Sequence, residues 1–216
     1  MNICHSQTQL ISIFFGLMFS TLLAASEIQT VPMSTEAVQR EKIGLAGPLV
    51  KGVMFHDVNG AHLLLLTQRA SPSKNKPDPN RMERHELKAT QFKRAAKGWI
   101  QEWVINDYVD CPGLDSEAHF YLDKVSITDV NNDGHVEVLV PYNLFCGGGI
   151  DSKTIKIIMR TKNEKFALRG KSKMDFPGQE SFGGEMEMDA LLKKNKNAAY
   201  RDLLIKIWND ICVEKY

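Results

Sequence analysis

The chain has 216 residues, with 27 Lys and Arg against 26 Asp and Glu, for a formal charge of +1. So even a balance makes no large single-sign field and argues against nucleic acid or an anionic membrane surface as partner. The length suits one domain with a sizeable core.

Met1–Gln9 is a short polar start, Leu10–Ala25 is an apolar run, and Glu27 is the first formal charge. A run shorter than the ~20 residues a bilayer needs, ending in Ala24-Ala25-Ser26, predicts a secretory signal peptide over residues 1–26. It departs from the usual pattern in having no Lys or Arg before the apolar run. The expectation is a periplasmic or secreted protein with no membrane span after cleavage. Residues 27–47 read as a mobile lead-in with a helical turn at Thr35–Gln39, and residues 48–216 as a single β-rich domain.

Strand signals begin at Leu49–Phe55 and resume at His62–Thr67, with Asn59-Gly60 between them. Asn-Gly between apolar runs is a strong hairpin signal, because glycine accepts the positive φ such turns need. Residues 71–84, with three prolines, read as an exposed loop. Glu86–Arg94 and Trp99–Asn106 form a second hairpin around Ala95–Gly98. Residues 110–118 read as a loop. Phe120–Thr128 and Val136–Tyr142 form a third pair, and Thr154–Arg160 with Lys165–Gly170 a fourth. Residues 171–188, with Pro177 and several glycines, read as a loop. Leu203, Ile207 and Ile211 then make an apolar stripe with Leu204 and Trp208 beside it, while Lys206, Asp210 and Glu214 face away. The fold class predicted is α+β, mostly antiparallel: a meander of about four hairpins with a C-terminal amphipathic helix packed on one face.

After the leader, three cysteines remain. Export to an oxidising compartment favours a disulfide, and Cys111 and Cys146 flank the central strand-loop-strand unit, so they are the predicted pair. Closing that loop stabilises by roughly 3–4 kcal/mol in the chain-entropy model. Cys212 shares a helical stripe with Leu204 and Trp208 and reads as a buried thiol.

The chemistry-bearing stretch is Asp129-Val130-Asn131-Asn132-Asp133-Gly134-His135-Val136-Glu137. Counting Asp129 as position 1, oxygen side chains fall at 1, 3, 5 and 9, with Gly134 at 6 and the His135 carbonyl at 7. Alternate residues of a tight loop point the same way, and three carboxylates at close range repel unless a cation sits among them. Calcium takes six to eight hard oxygen ligands. A paired EF-hand is excluded, since Val140 stands where the bidentate glutamate belongs and the flanks alternate as strands do. The competing reading is a metal-free turn closed by side-chain-to-backbone hydrogen bonds. Asp57-x-Asn59-Gly60 is a shorter echo of the motif, too brief to be a repeat.

Other constellations carry less. Gly147-(x)₄-Ser152-Lys153-Thr154 lacks the second glycine of a phosphate loop and precedes a strand. His56, His62, His85, His119 and His135 have no metal-binding spacing and read as surface or hairpin positions. Glu185, Glu187 and Asp189 could pair for glycoside hydrolysis, but a solvated acidic edge is the simpler reading. Trp99 and Trp103 share strand parity, and both read as core rather than a sugar platform.

The Asp129–Glu137 loop resembles the strand-loop-strand calcium loop of integrin-type FG-GAP repeats. That resemblance implies Asp129, Asn131, Asp133, the His135 carbonyl and Glu137 as ligands of a structural calcium. A wider set of blocks resembles a family of small exported bacterial proteins labelled as surface-polysaccharide biosynthesis. The blocks are Cys111, Thr128–Glu137, Tyr142, Cys146, Lys156–Met159, Phe166–Gly170, Phe182–Gly184, Lys206 and Trp208. Gly147–Ser152 departs from that family's Gly-Asp-Val-Ser-Pro-like segment. No catalytic role carries over from these blocks. The expectation is an exported binding or accessory domain, linked by the resemblance to surface polysaccharide, with a cell-envelope glycan or envelope protein as partner. Alternatives are an enzyme acting on surface polysaccharide and an envelope protein-binding inhibitor or assembly factor.

Overall fold

The computed structural model describes residues 26–215. Apart from Ser26, the predicted leader lies outside them. Mostly antiparallel sheets and a C-terminal helix make up the chain, as predicted. In order, the elements are β1 (Ser26–Glu27), β2 (Thr30–Pro32), α1 (Thr35–Arg40), β3 (Leu49–Asp57), β4 (Gly60–Ser71), β5 (Arg84–Ala95), β6 (Gly98–Asp110), β7 (Asp115–Phe120) and β8 (Ser126–Asp129). They continue with β9 (Glu137–Gly147), β10 (Thr154–Arg160), β11 (Lys165–Lys171), β12 (Lys173–Asp175), β13 (Phe182–Gly183), β14 (Met186–Met188), α2 (Ala198–Ile211) and β15 (Val213–Lys215).

The hairpins fall into two large sheets. One is a five-stranded meander, β2-β3-β4-β5-β6. The other runs β1-β8-β9-β10-β11-β14, with β7 also on β9. Residues from both sheets interleave in the main core, among them Phe55, Leu64, Leu66, Trp103, Val138, Val140, Ile158 and Ala167. Helix α2 covers the outer face of the second sheet through Leu204, Ile207 and Trp208 against Leu139, Ile157 and Phe166. Helix α1 covers the outer face of the meander, with Val38 against Leu63 and Leu65. The run Leu63–Leu66 is unbroken by polar residues because β4 is buried on both faces, alternate leucines serving alternate cores.

Several expectations need correction. Residues 27–47 are not a loose lead-in, since β1 pairs β8 and β2 pairs β3, placing this segment in both sheets. The strand expected over Phe120–Thr128 is two strands, and part of the loop expected before it is strand as well. β7 and β8 pair successive parts of β9, up to Phe120↔Tyr142 and from Ser126↔Leu139. Between those registers lies Pro141, which has no N–H to offer; only its carbonyl is used, accepting from the Tyr121 amide at 3.0 Å. The partner chain leaves the ladder in a turn there. Residues 171–188 are not one loop, for β12 forms a small sheet with β13 and, in parallel, with β15. Glu214 therefore sits in a strand after the helix, not on it.

Trp99 and Trp103 face opposite sides. The β5–β6 register shifts between Gln91 and Phe92, inserting an extra residue on β6 and reversing the parity between the tryptophans. Trp103 enters the inter-sheet core, while Trp99 packs on the α1 side and donates to Glu41 Oε2 at 2.8 Å.

Cys111 and Cys146 form the predicted disulfide, with Cα atoms 5.6 Å apart. Cys212 is fully buried beside Trp208, but it is disulfide-bonded rather than the thiol expected from the helical stripe. Among the described residues, no helix is long and apolar enough to cross a membrane. The disulfide fits an oxidising compartment.

Candidate functional site

The β8–β9 connection bends where the sequence places its acidic motif. Asn132 and Gly134 both take positive φ, 57° and 81°, so the chain reverses within a few residues. The side chains of the motif fold inward onto the loop's own amides. Asp129 accepts from the Asp133 amide at 3.1 Å and, with its other oxygen, from the Gly134 amide at 2.8 Å. Asn131 Oδ1 accepts from Asp133 at 3.0 Å, Asp133 Oδ1 from His135 at 2.8 Å, and Glu137 Oε2 from Val130 at 2.7 Å.

Four of the five predicted residues, Asn131, Asp133, His135 and Glu137, line one open cleft of about 610 Å³. Asp129 is buried and does not line it. The Asp129, Asn131, Asp133 and Glu137 side chains supply hard oxygen, which fits calcium chemically. Among the described residues, however, no three His, Cys, Asp or Glu side chains are gathered as a metal centre. The oxygens as placed are engaged with amides. The His135 side chain turns away from the motif, its Nδ1 2.8 Å from Asn59 Nδ2.

The far wall of the cleft comes from elements that sequence reasoning did not connect to the loop. These are the β10–β11 turn (Thr161–Glu164) and the start of α2, with Lys196, Asn197 and Tyr200. Tyr200 donates to Glu137 Oε1 at 3.1 Å and accepts from Asn131 Nδ2 at 2.9 Å. Only the first turn of the amphipathic helix hinted at this tyrosine, and no local motif did. Burial pushes the Glu137 carboxyl above its ordinary range despite the bonds from Val130 and Tyr200, and the Asp133 and Asp129 carboxylates add to the rise. Burial acts on Asp133 in the same direction, but the His135 amide and Asn131 side chain outweigh it and hold that carboxyl low. The two acids are pushed apart by environment alone.

Behind the loop sits its shorter echo. The β3–β4 turn docks against it, with the Val58 amide donating to the Gly134 carbonyl at 3.0 Å. Asp57 Oδ1 caps the Asn59 amide at 2.6 Å and lies 2.9 Å from His62 Nε2. The other ring nitrogen of His62 is 3.0 Å from Glu102 Oε2, which also accepts from Gln91 at 2.6 Å. His62 is thus an inward residue buried between two carboxylates, not the hairpin-surface position expected. A lone polar residue starting the apolar run of β4 was the available signal. The β6 bulge near Glu102 was not legible.

Glu185 and Glu187 are exposed along the short β14 and its approach, and Asp189 pairs Arg169 at 2.7 Å, in keeping with a solvated acidic edge. Compared with family models, curated proteins and solved structures, the chain matches none.

Proposed function

We propose that this chain is an exported binding or accessory domain of the cell envelope, holding a surface glycan in the cleft beside the β8–β9 loop, with a structural calcium in that loop. The observation that carries the reading is the composition of the cleft wall. Asn131, Asp133, Thr161, Asn163 and Asn197 present hydrogen-bonding groups, and Tyr200 adds an aromatic ring. A wide, open, polar cleft suits a hydroxyl-rich chain better than a compact apolar ligand. The calcium would neutralise the like charges of Asp129, Asp133 and Glu137, with an affinity of ~10⁻⁴–10⁻³ M, as in extracellular modules.

The test is a glycan array and titration with purified envelope polysaccharide, with calcium and then with chelator. Retained glycan, lost in Tyr200→Ala and Asn131→Ala, supports the reading. Calcium raises the melting temperature, and Asp133→Ala abolishes the rise; an unchanged melting curve at saturating calcium removes the ion from the proposal. Release of product from the polysaccharide would replace binding with catalysis. Co-purification of one envelope protein without glycan retention would replace the ligand with a protein partner.

A further inference from the structure

The inner face of the second sheet carries a feature that its fold does not need. Strands β10 and β11 pair with Lys156 opposite Arg169 and Arg160 opposite Lys165. Between these couples lie Ile158 and Ala167, both in the inter-sheet core, so all four cations stand on the face turned toward the meander. Like charges directly opposite on neighbouring strands destabilise a sheet. Here two such couples follow each other, their backbones ~13 Å apart at ~3.3 Å of rise per residue.

The cations line one cavity of about 260 Å³, walled on the other side by the edge strand β6. Among the described residues, the one acid lining it is Asp107, which accepts from Lys156 Nζ at 2.6 Å and from the Tyr142 hydroxyl at 2.9 Å. Arg169 is paired outside the cavity with Asp189. Arg160 and Lys165 have no ion pair among the described residues. Arg160 Nε is buried with no hydrogen-bond partner, and its guanidinium lies 5.7 Å from the Trp103 ring centroid. Desolvation lowers its affinity for its own proton. Arg160 is half-buried, but a buried guanidine N–H without an acceptor is still costly, and an acceptor from outside the chain removes that cost.

We propose that this cavity binds an oxyanion, the carboxylate or phosphate of an acidic sugar, against a cationic wall of Lys156, Arg160, Lys165 and Arg169. The planar fork of Arg160 suits two-point contact with either group, and Lys165 opposite it supplies a second charge. Asp107 and Tyr142 orient Lys156. The site is separate from the cleft beside the β8–β9 loop, and either can stand without the other.

The test is calorimetric titration of the purified protein with trigalacturonate, with glucose 1-phosphate and with a neutral galactose trisaccharide. At least one acidic probe binds, more weakly as salt rises, and the neutral sugar does not. Arg160→Gln and Lys165→Gln each weaken binding about tenfold or more, and Arg160→Lys keeps part of it. Lys97→Gln, which makes the same change of charge on an exposed turn, leaves binding intact. Unliganded Arg160→Gln melts no lower than the parent, because a like-charge couple has been relieved. Whether the carboxylate or the phosphate probe binds identifies the source of the oxyanion. Binding of neither acidic probe, equal binding of the neutral sugar, or equal weakening by Lys97→Gln overturns the proposal.

Discussion

The Tyr200 hydroxyl donates to Glu137 Oε1 at 3.1 Å across 63 positions of sequence and accepts from Asn131 Nδ2 at 2.9 Å, and these two bonds join helix α2 to the acidic loop. Without the first, one oxygen of a buried carboxylate would face the cleft with no donor from the helix. Tyr200→Phe deletes the donor with little change of shape. The expected cost is ~1.5–3 kcal/mol, the range for a hydrogen bond to a charged group. Urea unfolding with an unchanged m-value checks it, and a loss near zero would mean water replaces the phenol without penalty.

Glu137 also sets a pH dependence. Its carboxyl is raised in the fold, chiefly by burial, so the folded state holds this proton more tightly than the unfolded chain does. The group's contribution is therefore most favourable in acid. It falls as pH rises from the ordinary glutamate value through the raised one. Glu137→Gln should flatten that decline in calcium-free buffer and, where a loop ion contributes, weaken the response to calcium. Melting temperatures from pH 4 to 8 for parent and variant give the comparison. A steeper decline in the variant would contradict the assignment.

Gly134 sits at φ 81°, and a Cβ built there would lie 2.5 Å from Val58 Cγ1. Gly134→Ala should cost about 1–3 kcal/mol, from the left-handed backbone and from the displaced turn. Adding Val58→Ala should recover the steric part and leave the backbone part. Full recovery in the double variant would show that backbone strain contributes nothing at this position.

The Cys111–Cys146 bond spans 35 positions. In the chain-entropy model its loss costs about 4 kcal/mol, so a Cys111→Ala and Cys146→Ala protein should melt well below the parent. The same fall should appear on selective reduction of this bond. A fall of under about 1 kcal/mol would mean the unfolded chain is already compact across the loop.

Much of the candidate site was legible locally. Alternating oxygens and Gly134 placed a tight reversal between two strands, and that is where the chain bends. The same spacing could not say whether those oxygens face an ion or the loop's own amides, because both use the same lone pairs. Tyr200 and Glu137 lie 63 positions apart and His62 and Glu102 lie 40 apart, so no window of sequence contained either pair. Pro141 was in view and did carry the signal for the break between β7 and β8. Its consequence falls on the partner strand, where local periodicity has no purchase.

The sequence by itself determined most of the long strands, where their hairpins turn, which cysteines of the central unit pair, and that an amphipathic helix covers a sheet. These follow from side-chain periodicity, turn chemistry and short-range spacing, which act within a few residues. Only the tertiary structure decided that the hairpins divide into two sheets, that a bulge sends Trp99 and Trp103 to opposite faces, and that four cations meet across β10 and β11 above a single acid. Such outcomes depend on which face of one strand is covered by another far along the chain. Burial and charge there are properties of the stacked pair.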